Sequence, residues 1–260
     1  MCVVTGLPIA FAFDRIEKSE QEHAKALIDQ GRANLAGYAR LVSVALDRGF
    51  LDGDLFWWLK EDRGIEWYCP AKEKMDVTAE ARQRVDEALA SAAKKGETAL
   101  ETALRLARGR GKVELHERFG VELCERSLGA GRDSLVVAGV SDLTATDFYG
   151  PGGTDSSRLS SKKFVPTPLH ATVVLRWPDR STQDQQDAKE HDDESKGPVV
   201  LLSPSAKPAL LRYDLYDERS LIENRLNREG KQNYALGTSL ARTEAAMRSA
   251  TLFSTVALMM

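Results

Sequence analysis

The sequence predicts an α/β protein that is interrupted by a long insertion. Two observations carry this prediction. Apolar, strand-like runs alternate with helix-like segments over the first 70 residues, and the composition changes after Pro70. A helical pattern returns near Tyr213, so we expect residues 71–204 to form a semi-separate lobe.

Residues 1–70 contain three predicted strands and two predicted helices. The strands are the apolar runs 7–13, 41–46 and 65–69. The first helix is predicted over 19–30, because Ser19 and Glu22 have the spacing of a capping box. The second helix is predicted over 51–62. This alternation favours strands that share one sheet with helices packed on it.

The insertion is predicted to be α+β. Residues 78–107 carry apolar side chains at helical spacing with a break at Gly96, which is typical of a helical hairpin. Strands are predicted at 135–138, 171–175 and 199–202, and the acidic run 178–197 is predicted to be a loop. Beyond the insertion, helices are predicted over 213–231 and 234–259.

Composition excludes several classes of protein. With 260 residues, 42% hydrophobic and 29% charged, the chain can bury a core and is not disordered as a whole. A net charge of -3 excludes a uniformly basic, histone-like protein, although a local basic groove can still bind nucleic acid. No apolar run reaches the length of a membrane span, and no signal peptide is recognised, so no membrane partner is expected. Cys2, Cys69 and Cys124 are widely spaced and odd in number, which predicts reduced thiols rather than a disulfide framework or a zinc site.

Two patterns single out residues that could carry chemistry. Asp47 ends the apolar run 41–46 and is followed by Arg48-Gly49-Phe50. An acid at the carboxyl end of a strand is well placed for a ligand site, although a turn-forming Asp before Gly is the simpler interpretation. Tyr216, Arg219 and Glu223 are spaced to share one face of a helix, where an Arg beside a Glu is usually a solvated ion pair.

Taken together, these segments resemble the DDE transposases of the insertion-sequence-four type. The segment Leu46-Asp47-Arg48-Gly49-Phe50 and the spacing Tyr216-x2-Arg219-x3-Glu223 carry the resemblance, and the flanks 5–9 and 64–72 agree with it. It covers residues 1–76 and 205–235. The resemblance implies an RNase H-like mixed sheet with helices, interrupted by the long α+β insertion. It divides the chain into a core (1–70 and 205–235), an insertion (71–204) and a C-terminal helix (236–260).

The resemblance also implies roles for individual residues. Asp47 corresponds to the second metal-binding carboxylate and Glu223 to the third. Tyr216 and Arg219 would bind DNA phosphate and orient Glu223. The family's motif ends in a Lys at the position of Gly230, so Lys231, one residue later, is the corresponding DNA-binding residue.

The implied activity is cleavage and strand transfer of phosphodiester bonds with two Mg²⁺ (or Mn²⁺) ions as cofactors. Carboxylates are the oxygen ligands that such ions require. The implied partner is DNA, as transposon ends and target, with a homodimer on the DNA and a location in the bacterial cytosol. The alternatives are another RNase H-like nuclease and a non-catalytic DNA-binding remnant.

The first of the family's three acids has no match in this sequence. It should precede Thr5, whereas Asp14 follows the Gly6-Leu7-Pro8 element and is rejected as its substitute. We therefore expect a chain truncated at its N-terminus, with weak activity.

Other polar or aromatic features predict less. The basic turn 108–112 could contact phosphate or be a solvated loop, and Trp57 and Trp58 are interpreted as one core and one surface residue. The four histidines lack the spacing of a metal site.

Overall fold

The computed structural model describes residues 9–10, 20–109, 112–127, 134–146, 148–150, 168–176 and 198–219. The chain divides into two compact units, one made of Met1–Ala45 with Leu215–Met260 and the other of Leu46–Asp214. The described residues contain both helices and strands, so the fold is mixed α/β, as the sequence predicts.

The described part of the first unit contains helix α1 (Glu20–Leu35) and strand β1 (Ser43–Ala45). The helix begins within one residue of the predicted start and runs five residues further than predicted. Its last turns contact the preceding chain, because the Asn34 side chain donates to the Ile9 carbonyl at 2.7 Å. Gly31 faces the Ile9 side chain, where a Cβ would lie 3.2 Å from Ile9 Cδ1. Of the predicted strand 7–13, only residues 9–10 are among those described.

Five strands of the second unit form one sheet. They are β2 (Glu66–Pro70), β3 (Val121–Arg126), β4 (Leu135–Leu143), β5 (Leu169–Arg176) and β6 (Val199–Ser203). Their order is β2-β6-β5-β4-β3, and each neighbouring pair is antiparallel. The predicted core strand and the strands of the predicted insertion therefore share one sheet.

The helices of the second unit are α2 (Gly53–Trp57), α3 (Asp76–Ala92), α4 (Ala99–Arg108), α5 (Lys112–Phe119) and α6, which runs from Ala209 to Asp217 across the division between the units. Helices α3 and α4 confirm the predicted hairpin. The helix predicted over 51–62 is instead α2 followed by a π-helical turn, Trp58–Asp62. Strand β3 and helix α5 were not predicted.

Helix α2 packs against the chain around Phe148 and against the sheet. Phe56 stacks on Trp67 of β2 with ring centroids 3.9 Å apart, and Trp67 meets Tyr149 at 5.7 Å. A Cβ on Gly53 would lie 1.2 Å from the Phe148 carbonyl oxygen, so only glycine fits there. This aromatic cluster fixes the segment that follows Asp47 against strand β2.

Helix α6 lies directly on the backbone of β4. A Cβ on Gly139 would come within 2.8 Å of the Ala209 Cβ and of Arg212 Nη2. The helix was predicted from Tyr213 to residue 231 but begins at Ala209, after Pro208, and ends at Asp217. Residues 220–231, the helix predicted over 234–259 and the acidic run 178–197 lie outside the described residues. Among the residues that are described, no helix has the length and apolar character to cross a membrane.

Candidate functional site

Asp47 lies two residues after β1 and caps a 3₁₀ turn, Arg48–Phe50. Its side chain is exposed and accepts the Arg48 N–H at 2.6 Å, while its carbonyl accepts the Phe50 N–H at 2.9 Å. This is the local geometry that Asp favours before a turn, so the turn alone explains an Asp at this position. The carboxylate nevertheless stands at the surface, where a ligand can reach it.

The second unit holds Asp47 against β2. The Leu46 N–H donates to the Tyr68 carbonyl at 2.9 Å, and the Cys69 thiol donates to the Asp47 carbonyl at 3.3 Å. Cys69 is fully buried. The backbone of Asp47 is thus anchored on the neighbouring strand, and its side chain is the part that remains open to solvent.

Tyr216 and Arg219 are brought together in the first unit. The Arg219 guanidinium lies over the Tyr216 ring, 5.4 Å from its centroid, and the Arg219 N–H donates to the Tyr216 carbonyl at 2.9 Å. That backbone bond spans three residues rather than four, so the chain tightens and Arg219 lies in a turn after α6. The prediction of one continuous helix through Tyr216 and Arg219 is therefore wrong, because the helix ends at Asp217. The two side chains are nevertheless in contact.

The remaining candidates are not part of the described chain. Glu223 and Lys231 lie beyond residue 219, so the expected approach of Glu223 to Asp47 is not described. Within the described ranges there is no group of three His, Cys, Asp or Glu side chains arranged to hold a metal ion.

The secondary candidates have structural roles where they are described. Arg108, in the predicted basic turn, makes a two-pronged ion pair with Glu125 of β3, at 2.5 and 2.6 Å. Trp58 is buried under the Arg63 guanidinium, 4.5 Å from the ring centroid, and Trp57 is half-buried. Ion pairing therefore explains the presence of Arg108, and packing explains the two tryptophans.

A polar cavity of about 470 Å³ lies between the sheet and the start of α6, and the sequence did not predict it. Its lining includes Arg212, His170, Lys207 and Glu122. Lys207 pairs with Glu66 of β2, which also accepts the Tyr68 hydroxyl at 3.1 Å. Burial raises the pKa of Glu66, but these hydrogen bonds outweigh it and leave the pKa below its usual value. The lining residues are spread over four segments of the chain, so no local pattern could have revealed them.

Comparison of the chain with protein-family models gives no match, and comparison with curated proteins gives none either.

Proposed function

We propose that this chain is the catalytic part of a DDE transposase of the insertion-sequence-four type, acting on DNA phosphodiester bonds in an RNase H-like fold. The spacing Tyr216-x2-Arg219-x3-Glu223, together with Asp47 after the apolar run 41–46, carries the proposal. Two features of the structure support it. Asp47 is exposed two residues after β1, and Arg219 and Tyr216 are in contact.

The donor chemistry of Asp47 fits a hard divalent cation. Its carboxylate is exposed, and the Arg48 N–H at 2.6 Å orients it. Carboxylate oxygens are the ligands preferred by Mg²⁺, and orientation by a hydrogen bond is typical of a ligating carboxylate. We therefore assign Asp47 to the metal, and the resemblance to the transposase family adds Glu223 as the second ligand. When bound, Mg²⁺ or Mn²⁺ supplies charge stabilisation at the scissile phosphate.

Arg219 and Tyr216 are assigned to DNA phosphate. A guanidinium matches the geometry of a phosphate group, and stacking on the Tyr216 ring restricts the orientations of the Arg219 side chain. An arginine that is already ordered loses less conformational entropy when phosphate binds. Arg219 and Tyr216 would position the DNA strand, and the carboxylates of Asp47 and Glu223 would hold the metal ions.

Metal binding by single-residue variants tests the proposal. Mn²⁺ titration followed by electron paramagnetic resonance should show binding to the unmodified chain that falls at least about tenfold in Asp47→Asn and in Glu223→Gln. Asparagine keeps the ability to cap the turn at residue 47, so the fold is preserved. Asp62→Asn and Glu218→Gln, at exposed acids, are the matched controls and should bind Mn²⁺ as the unmodified chain does.

Nicking of supercoiled DNA in Mn²⁺ completes the test. This sequence matches two of the family's three acids, so we expect slow nicking. Asp47→Asn and Glu223→Gln should each abolish it. Strong nicking that Glu223→Gln leaves unchanged would show that the site is wrongly assigned. DNA binding without metal binding or nicking would favour a non-catalytic DNA-binding protein.

A further inference from the structure

Arg212 of α6 is a buried cation without a complete set of hydrogen bonds. Only 4% of its surface is exposed, and neither Nε nor Nη1 has a hydrogen-bond partner. Burial lowers the pKa of its guanidinium to about 10, with a nearby carboxylate, Glu122, opposing the shift. A buried guanidinium whose donors lack hydrogen bonds is costly, and a bound ion, a bound water or a functional role is the usual explanation for one.

The sheet makes room for this guanidinium at Gly139. Arg212 Nη2 lies 2.8 Å from the position that a Cβ on Gly139 would occupy, so any larger residue would displace it. On the next strand, Thr172 pairs with Gly139, and its buried hydroxyl also has no partner. Unsatisfied polar groups therefore lie on α6, at Arg212, and on strand β5 beneath it, at Thr172.

The nearest acid does not satisfy Arg212 by a hydrogen bond. Glu122 is the register partner of Gly139 on β3, and one of its oxygens accepts the Ala209 N–H at 3.2 Å, where it caps α6. Its other oxygen accepts the Cys124 thiol at 3.5 Å. Glu122 thus moderates the positive charge without a hydrogen bond to it, and the Nε and Nη1 donors of Arg212 stay open.

The cavity beside Arg212 offers further donors. His170 Nδ1 accepts the Asp142 N–H at 3.3 Å, so the proton of its neutral ring is on Nε2. Burial and the charge of Arg212 lower the pKa of His170, which keeps the ring neutral. Asp142 adopts a φ of 52° in an irregular stretch of β4, and that turn directs its N–H to His170. The His170 ring is therefore held in one tautomer at the wall of the cavity.

We propose that this cavity binds a phosphate-type oxyanion, with Arg212 as the principal ligand and His170 and Lys207 as supporting donors. A guanidinium recognises phosphate through charge-assisted hydrogen bonds, and the cavity is larger than one phosphate group needs. The ligand is either free phosphate or a phosphate group of DNA. The inference does not depend on the proposed transposase activity, because every residue it uses lies outside the proposed metal site.

Calorimetric titration of the full chain with inorganic phosphate, at constant ionic strength, tests the site. We expect saturable binding that Arg212→Met weakens at least tenfold and His170→Phe weakens about threefold. Arg82→Met is the matched control. It removes the same charge from an arginine that Glu73 and the Pro198 carbonyl already satisfy, and it should leave phosphate binding unchanged.

A stability measurement separates loss of the ligand site from loss of the fold. In phosphate-free buffer, Arg212→Met should keep or raise the melting temperature, because an unpaired buried charge is removed. Added phosphate should raise the melting temperature of the unmodified chain but not that of the variant. A marked fall for Arg212→Met without phosphate would show that Arg212 has a structural role and would overturn the proposal.

Competition identifies the source of the phosphate. If a short duplex displaces bound phosphate, the ligand is a DNA phosphate; if both bind together, it is free phosphate. Either result supports the site. No heat of binding up to about 10 mM phosphate, a concentration at which even weak sites fill, or binding that Arg212→Met leaves unchanged, would disprove it.

Discussion

Gly53 and Gly49 lie four residues apart, yet they stand in opposite environments. A Cβ on Gly53 would meet the Phe148 carbonyl oxygen at 1.2 Å, whereas a Cβ on Gly49 would meet no atom within 4 Å. Neither glycine has a positive φ. The difference between them is therefore one of space and not of backbone conformation.

We expect Gly53→Ala to lower the free energy of unfolding by about 3 kcal/mol, because α2 must move away from Phe148. Gly49→Ala should change it by less than about 0.5 kcal/mol. Urea denaturation of both variants measures the difference. Equal stability of the two variants would mean that α2 does not pack on Phe148 as described.

At the scale of elements, the Glu97 carboxylate links the loop between α3 and α4 to helix α4. Glu97 accepts two hydrogen bonds from Arg105, both at 2.8 Å, and the Lys94 N–H at 2.9 Å. Thr98 and Glu101 form a capping box at the start of α4. The loop between the helices is thus held by polar contacts from both sides.

The pH dependence of stability should report on Glu97. Arg105, and then the Lys94 N–H, lower its pKa from 4.5 to about 2. Because the pKa is lower in the folded state, the stabilisation is fully present above about pH 4.5 and is lost as the pH falls towards 2. Urea titrations of the unmodified chain and of Glu97→Gln should therefore differ at pH 7 and converge as the pH approaches 2.

The control for this measurement is Glu87→Gln, at an exposed position of α3. Glu87 accepts a hydrogen bond from Gln83 and none from Arg105 or Lys94, so this variant keeps the contacts of Glu97. A difference for Glu97→Gln that does not shrink in acid would contradict the role given to its carboxylate.

Elements with a strong local pattern were predictable, and those defined by distant contacts were not. Helices α3 and α4 follow from apolar spacing and the break at Gly96. Strand β3 alternates buried Val121 and Leu123 with more polar residues, a signal that is short and easily missed. The start of α6 depends on Glu122, which lies 87 residues from Ala209, so the sequence near Tyr213 could not locate it.

At the scale of the whole molecule, the sheet connects parts of the chain that the sequence assigned to different domains. Cys69 of β2 lies opposite Leu202 of β6 in the sheet, and the Ala71 N–H donates to the Val200 carbonyl at 2.8 Å. The sequence anticipated the strands themselves, but strand pairing is set by non-local contacts. That is why the pairing of β2, from the predicted core, with β6, from the predicted insertion, was not predicted.

We expect β2 to open together with β4 and β5 in native-state hydrogen exchange. Opening β2 alone would expose Trp67 and Tyr68, both fully buried, and break its ladder with β6. The opening free energies of the Ala71 and Val137 amides should therefore coincide as denaturant is added. A distinctly lower value for Ala71 would show that β2 unfolds as a separate part.

The buried thiol of Cys69 has a consequence for the chemistry of strand β2. Its sulfur is sealed beneath the backbone of Asp47, to which it donates a hydrogen bond. An alkylating agent or oxidant therefore reaches it only while the strand is open, whatever the intrinsic nucleophilicity of the sulfur. The rate at which Cys69 is modified therefore measures how often the Asp47 turn separates from β2.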